Sequence, residues 1–309
     1  MTIEAARIPG AVSIWADPLH AGPVPGLLTD EGLLEVRARH LAGMDGSSFT
    51  NAVNELRAWR QVIAALDDYR ELVLWYEHDL FDQLNLIHLL SWIRDRLPST
   101  KKVSLICIDS FPGRPTFKGL GELTPRELAP LLDSRKSVTD GQYALAQRAW
   151  RAFGEQTPEP LDRLRHSDTV ALPFLAAALT RFLQEYPWTS DGLSRSERRL
   201  LQLAAAGSLT LASAFPQMDE GQRAYYLSDT SLNELADGLA ETSPALLTAS
   251  DSVGLHRTVT ITDTGRGVLA GALDRVATCG LDRWFGGVHL QSGLEMWRWD
   301  DGSQRITHG

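Results

Sequence analysis

The sequence predicts an α/β protein, a parallel doubly wound sheet domain followed by an α-helical region with a winged-helix-like module. Two observations carry this. Apolar runs of strand length at 11–16, 71–76 and 103–108 alternate with segments of helical spacing, and strands alternating with helices imply a parallel sheet. After Tyr186-Pro-Trp-Thr-Ser-Asp-Gly192 the chain changes character, and three helical segments precede a short hairpin. That is the order of a winged helix-turn-helix.

Ala11-Val-Ser-Ile-Trp-Ala16 reads as the first strand, and Asp17-Pro-Leu-His-Ala-Gly-Pro-Val-Pro25 as the loop after it. Helical spacing covers 29–42 and 50–67, with Thr29 and Thr50 as caps. Leu72 to Tyr76 is a buried strand, and a helix runs from Asp79 to Arg96. Lys101-Lys102 leads into the strand Val103 to Ile108, ended by Asp109 and the loop Phe111-Pro-Gly-Arg-Pro115. Helices follow at 124–133, 139–153 and 170–185; Thr124-Pro-Arg-Glu127 combines an N-cap, an initial proline and a capping-box glutamate. The later helices lie at 194–206, 209–215 and 229–241, the hairpin at 246–248 and 258–262, and a further helix starts at Asp263. The expected division is an α/β domain over 1–135 carrying the site, a helical connector over 136–190, the winged module over 191–275, and an aromatic tail over 276–309. Trp284, Trp297 and Trp299 are expected to lock that tail onto the core.

With 309 residues, 43% hydrophobic and 22% charged, the chain is long enough for two buried cores. A net charge of −9 argues against nucleic acid and anionic membrane as partners. No apolar run reaches the roughly 20 residues of a bilayer span, and the first residues lack the layout of a secretory signal. Cys107 and Cys279 are far apart in sequence, so a reducing cytoplasm is the expected location. The winged segment is acidic: from Ser208 to Leu255 only Arg223 is basic, against acids that include Asp219, Glu220, Asp229, Glu234 and Asp237. Such a module is expected to pack on the first domain, the preferred reading, or to bind protein; the alternative is DNA binding confined to residues such as Arg195, Arg198, Arg199 and Arg257.

Six segments carry a resemblance. They are Trp15-Ala-Asp-Pro-Leu-His-Ala-Gly-Pro-Val24, Leu74-Trp-Tyr-Glu-His-Asp-Leu-Phe-Asp-Gln83 and Phe111-Pro-Gly-Arg-Pro-Thr-Phe-Lys-Gly-Leu-Gly-Glu-Leu123. Leu172-Pro-Phe-Leu175, Gly192-Leu-Ser-Arg-Ser-Glu-Arg198 and Leu281-Asp-Arg-Trp-Phe-Gly-Gly-Val-His-Leu290 complete the set. Together they resemble the bacterial domain-of-unknown-function family 1835 over nearly the whole chain. The resemblance brings no activity with it. Members of that family open with a strand reading His-Val-x-x-Gly-Asp-Ser and a helix, whereas this chain begins where that helix would end. A Gly-Asp-Ser turn suits a nucleophilic serine or an anion cradle, so any activity resting on it is in question here.

The residues themselves point to the end of the second strand. Ligands in open α/β sheets bind where strands end and helices begin, and this strand delivers Glu77, His78 and Asp79 to that edge. Glu77 or His78 would act as general base, oriented by Asp79 or Asp109, with His20 as a second acid or base. Asp17, Asp82 and Gln83 are placed to bind substrate, and Arg114 to clamp an anion. The competing accounts are structural: Asp79 also fits a helix N-cap, and Asn85 and His88 read as part of a solvated stripe. Lys118-Gly-Leu-Gly121 reads as a turn. The same carboxylates and imidazoles could hold a divalent metal, though no spacing matches a metal motif. Arg283 and His289, beside the Gly286-Gly287 turn, form a second candidate in a cleft between domains. The leading expectation is a hydrolase or group transferase acting on a small polar or anionic substrate. Its rival is a ligand-sensing regulatory or protein-interaction protein.

Overall fold

Two sixteen-residue helices, α1 (Asp30–Asp45) and α2 (Phe49–Ala64), pack on each other through Leu34, Ala38, Ala52, Val53 and Leu56. The computed structural model describes every residue except 1, 65–68, 99, 220 and 223. The chain divides into two compact units, Met1–Ala178 with Gly286–Val288, and Leu179–Phe285 with His289–Gly309. Thr29 caps α1 as expected, accepting the N–H of Gly32 at 3.2 Å. At the start of α2 the accepting hydroxyl is Ser48 rather than Thr50, taking the N–H of Asn51 at 3.1 Å. The predicted end of that helix, 65–67, lies outside the described residues.

β1 (Glu71–Glu77) and β2 (Lys102–Ile108) pair in parallel, from Glu71 opposite Lys102 to Glu77 opposite Ile108, and are connected through α3 (Leu80–Arg94). A two-residue strand, β3 (Lys136–Ser137), adds antiparallel to β2. The sheet is therefore mixed and three-stranded, its one parallel pair being β1 with β2. The strand expected at 11–16 is not formed. Its side chains and its end are held by other means. Trp15 packs against Trp59, His88 and Trp92, with ring centroids 6.1, 5.5 and 5.8 Å away, and the N–H of Asp17 donates to Asn85 Oδ1.

The solvated stripe expected on α3 is overturned. Gln83, Asn85 and His88 are 1%, 0% and 5% exposed, because the helix is enclosed on nearly every side. One neighbour is α4 (Asp140–Phe153), begun by a Thr139–Gln142 capping box, whose Trp150 stacks on His88 at 4.2 Å. The Thr124–Glu127 capping box forms as expected, but its α-helix is one turn, Pro125–Leu128, continued as 3₁₀ turns to Ser134. Two further helices are α5 (Glu159–Arg165), which the spacing does not predict, and α6 (Leu175–Leu183), shorter than predicted. Gly286–Val288 lies against the end of α4: Gly287 donates to Phe153 O at 2.9 Å. A side chain at Gly287 would meet Gly154 O at 2.1 Å, so only glycine fits there.

In the second unit, α7 (Arg195–Ala205), β4 (Leu209–Thr210), α8 (Leu211–Ala214), α9 (Asp229–Ala240), β5 (Leu247–Ala249) and β6 (Thr258–Ile261) follow in order. The three strands form an antiparallel sheet with β6 in the middle, over a core that includes Leu200, Leu211, Leu232, Leu239 and Val259. In the tail, Trp299 is fully buried and its backbone N–H donates to Pro187 O at 2.8 Å. Trp284 stacks on His289 and Trp297 meets His308 edge-on, so of the three tryptophans only Trp299 belongs to the buried interior. The four arginines considered for DNA are engaged within the unit. Arg195 donates to Gln184 Oε1, Arg199 to Gln217 O, Arg198 pairs with Asp191 and Arg257 with Asp237. Glu220 and Arg223 lie outside the described residues. No helix among the described residues is long and apolar enough to cross a membrane.

Candidate functional site

Between the end of β1 and the start of α3 the chain must turn within two residues, His78 and Asp79, and carboxylates fasten that turn. Asp79 is the N-cap of α3 and its Oδ1 accepts the N–H of Asp82 at 2.8 Å. Asp82 reaches back, its Oδ2 accepting the N–H of Glu77 at 2.5 Å. Gln83 Nε2 donates to Glu77 O at 2.7 Å and to Cys107 Sγ at 3.4 Å, tying the turn to β2. The structural account of Asp79 as a cap thus holds. It leaves the carboxyl groups of Glu77 and Asp82 to be explained.

The Glu77 carboxylate accepts the N–H of Leu120 at 2.5 Å, and the N–H of Gly121 also bonds to it. The expected Lys118–Gly121 turn is in part a 3₁₀ turn, Leu120–Glu122, entered from an extended Gly119, and it is wrapped around this carboxylate. A Cβ at Gly119 would fall 1.9 Å from Glu77 Oε2, so the close approach requires glycine. His78 is 5% exposed and lies between aromatic rings, 6.5 Å from Phe117 and 6.1 Å from Phe174. His20 meets Phe81, in the first turn of α3, edge-on at 6.1 Å.

Burial raises the pKa of Glu77, against the opposing pull of the two backbone N–H groups. Burial also pushes Asp79 and Asp82 well above the ordinary aspartate range; for Asp82 the charges of Asp79 and Glu77 add to it. Like charges held this close resist ionising together, so the cluster retains a proton where an exposed aspartate has lost it. A carboxylic acid that survives toward neutral pH can both give and take a proton, which is the property a general acid–base group needs. Cys107 is pushed up to about 12 by burial and remains a thiol, so it is not poised as a nucleophile.

Asp17 comes to the same helix start by its backbone: its N–H donates to Asn85 Oδ1 at 3.2 Å and its carbonyl accepts from Asn85 Nδ2 at 2.8 Å. Its carboxylate is occupied by Arg37, whose Nε lies 3.1 Å from both oxygens and whose Nη1 donates to Ala21 O at 2.7 Å. Arg37 is 2% exposed and organises the 17–23 loop, a role the sequence reading did not assign. The available signal was its position on the apolar face with Leu34, Ala38 and Leu41. His40 closes the other side of that loop: a Cβ at Gly22, where φ is +75°, would lie 2.4 Å from its ring.

The structure therefore brings Glu77, His78, Asp79, Asp82 and Gln83 together, with His20 and Asp17 at the same helix start. Asp109 follows β2, half-buried, and accepts from Ser110 Oγ at 3.1 Å. Arg114 is drawn elsewhere: its Nη2 donates to both oxygens of Glu127, at 3.1 and 3.0 Å, so it does not stand ready as an anion clamp. In the second unit His289 Nε2 bonds Asp282 Oδ1 at 2.6 Å, and the Arg283 guanidinium lies 5.2 Å from the Phe285 ring centroid. Among the described residues no three His, Cys, Asp or Glu side chains form a metal-ligand set. Comparison with protein-family models, with curated proteins and with solved structures finds no match to this chain.

Proposed function

We propose that the first unit carries out acid–base chemistry on a small polar substrate at the β1–α3 turn, as a hydrolase or group transferase. The observation that carries this reading is the Glu77–Asp79–Asp82 cluster, three carboxyl groups gathered at one turn, each with its pKa raised by burial. Asp79 and Asp82 are the candidate proton carriers, Glu77 adjoins them, and His78 lies next to them in the chain, near Phe117 and Phe174. The parallel β1–β2 pair joined through α3 fits a fragment of a doubly wound sheet, whose strand ends are the usual ligand edge. The engagement of Arg114 by Glu127 and the acidity of the cluster favour a neutral or cationic substrate over an anionic one. Both cysteines are free, in keeping with a reducing cytoplasm as the place of action. The resemblance to family 1835 adds no reaction to this reading.

The test is a thermal-shift screen of the full chain against amines, polyols and phosphorylated or carboxylated metabolites, since a ligand of the folded state raises the midpoint by mass action. Stabilisation by amines or neutral polar compounds that disappears in Asp82→Asn and His78→Ala is the expected result. Stabilisation only by anions, unchanged in those variants, would rule the site out.

A second reading rests on the second unit. Its helix–strand–helix–helix–strand–strand order fits a winged-helix-like module, and its arginines are internally engaged, which favours a protein partner over DNA. The first unit would then sense the ligand without turning it over. Turnover lost in His78→Ala with the fold intact supports the enzyme; altered binding with no turnover in either protein supports the sensor.

A further inference from the structure

A different part of the first unit has the makings of a binding site of opposite charge. Trp15, Trp59, Arg60 and His88 line a small cavity together with Asp17 and Arg37. Three polar atoms there are buried with no hydrogen-bond partner among the described residues: Trp15 Nε1, Arg60 Nε and His88 Nδ1. Buried polar groups are almost always paired, because leaving one unpaired forfeits its hydration with nothing in return. Three such atoms belong to residues that line one cavity, two of them donors whatever the tautomer of His88, and the lining is rich in aromatic rings, with those of Trp15 and Trp59 6.1 Å apart.

The charges point the same way. Arg37 is neutralised by Asp17. Arg60 donates from Nη1 to Leu56 O at 3.0 Å, a carbonyl of its own helix, and forms no ion pair among the described residues. The carboxylates whose fields reach Arg60, first Asp17 and then Glu31, are each paired with another arginine, Asp17 with Arg37 and Glu31 with Arg57 at 3.0 Å. His88 is uncharged, since burial holds its pKa down at about 3. The lining as a whole carries one excess positive charge on a largely buried guanidinium, and a partly buried cation is stabilised most by an anion at its own N–H.

We propose that this cavity is a binding site for a compact anion, held by Arg60 Nε–H and the indole N–H of Trp15. His88 Nδ1 is a third donor in the tautomer that carries its proton there. The space as it stands suits about one water-sized particle, which limits the occupant to a chloride-sized ion or one end of a small carboxylate. Asp17 adjoins both this cavity and the acidic β1–α3 turn, but its carboxylate is taken by Arg37, and the cavity does not depend on the reaction proposed at the turn.

The experiment is the unfolding midpoint of the full chain at fixed ionic strength, with chloride, formate or acetate replacing a bulky organic anion. Fixed ionic strength keeps general screening constant, so that a remaining difference reports specific binding. The wild-type midpoint is expected to rise with chloride or formate concentration. The rise is expected to vanish in Arg60→Gln and to need about tenfold more anion in Trp15→Phe, which keeps the ring and removes the N–H. Response to chloride identifies a free ion; response to formate and acetate alone identifies the head group of a small acid. No response in the wild type, or the same response in the wild type and Trp15→Phe, overturns the proposal, and the Trp15→Phe arm decides it even if Arg60→Gln does not fold.

Discussion

Arg37 Nε stands 3.1 Å from each carboxylate oxygen of Asp17, a helix residue and a loop residue 20 positions apart and both out of solvent. Removing one member of a buried pair leaves the other charged and unsolvated, at a cost of about 3–5 kcal/mol. Arg37→Leu should therefore lower the stability of the first unit by that amount in urea titration. Arg39, whose pair with Glu35 is exposed, is the control; Arg39→Ala should cost less than about 1 kcal/mol. Equal effects from the two variants would show that the Asp17 loop is not held by Arg37.

Glycine at 119 follows from contact with Glu77. A methyl group there would overlap the carboxylate, and overpacking of this kind costs about 1–3 kcal/mol. Gly119→Ala should lower the unfolding midpoint, and Glu77→Ala, by removing the obstructing carboxylate, should relieve part of that loss. A double-mutant cycle measures the coupling. Strict additivity would mean that the two residues do not touch.

Stability should depend on pH in two opposing ways. Asp79 and Asp82 titrate above the 3.8 of an exposed aspartate, so the folded chain keeps protons that the unfolded chain has released. Their contribution is complete below the unfolded value and is lost as pH rises through the folded ones. Asp82→Asn, which cannot ionise, should make stability flatter between about pH 5 and 8. An unchanged slope would mean that Asp82 is already ionised in the folded protein.

His88 acts in the other direction. Burial lowers its pKa from 6.5 to about 3, so the unfolded chain binds the proton first, and stability is complete above 6.5 and falls as pH drops toward 3. His40, lowered to about 4, adds to the same slope. His88→Phe keeps a ring against Trp150 and removes the titration, and it should resist acid better than the parent. Acid unfolding at the same pH in both proteins would contradict this.

Much of the site's position could be read from the sequence because strand, cap and helix signals agree locally. The apolar run to Tyr76, Asp79 as N-cap and the Thr124–Glu127 capping box all depend on neighbours within a few residues, and all three form. What could not be read depends on partners distant in the chain. The apolar run at 11–16 has the length of a strand, but no strand among the described residues pairs with it, and Trp15 packs on side chains of α2 and α3. Asn85 looked like a surface residue and Arg37 drew no assignment, because the loop that each holds lies 68 and 20 positions away. Arg114 has the right charge for a clamp, yet Glu127 takes it, since a carboxylate already ordered by Thr124 is a ready partner.

The central claim is that the β1–α3 turn holds a carboxyl proton that an exposed aspartate would have lost. The direct measurement is a pH titration of aspartate side-chain carboxyl carbons by NMR in the isotopically labelled chain. The account predicts at least one aspartate carboxyl titrating near neutral pH and absent from the spectrum of Asp82→Asn. If every aspartate carboxyl titrates below about pH 5, as unperturbed groups do, the cluster holds no such proton and the acid–base reading of the site fails.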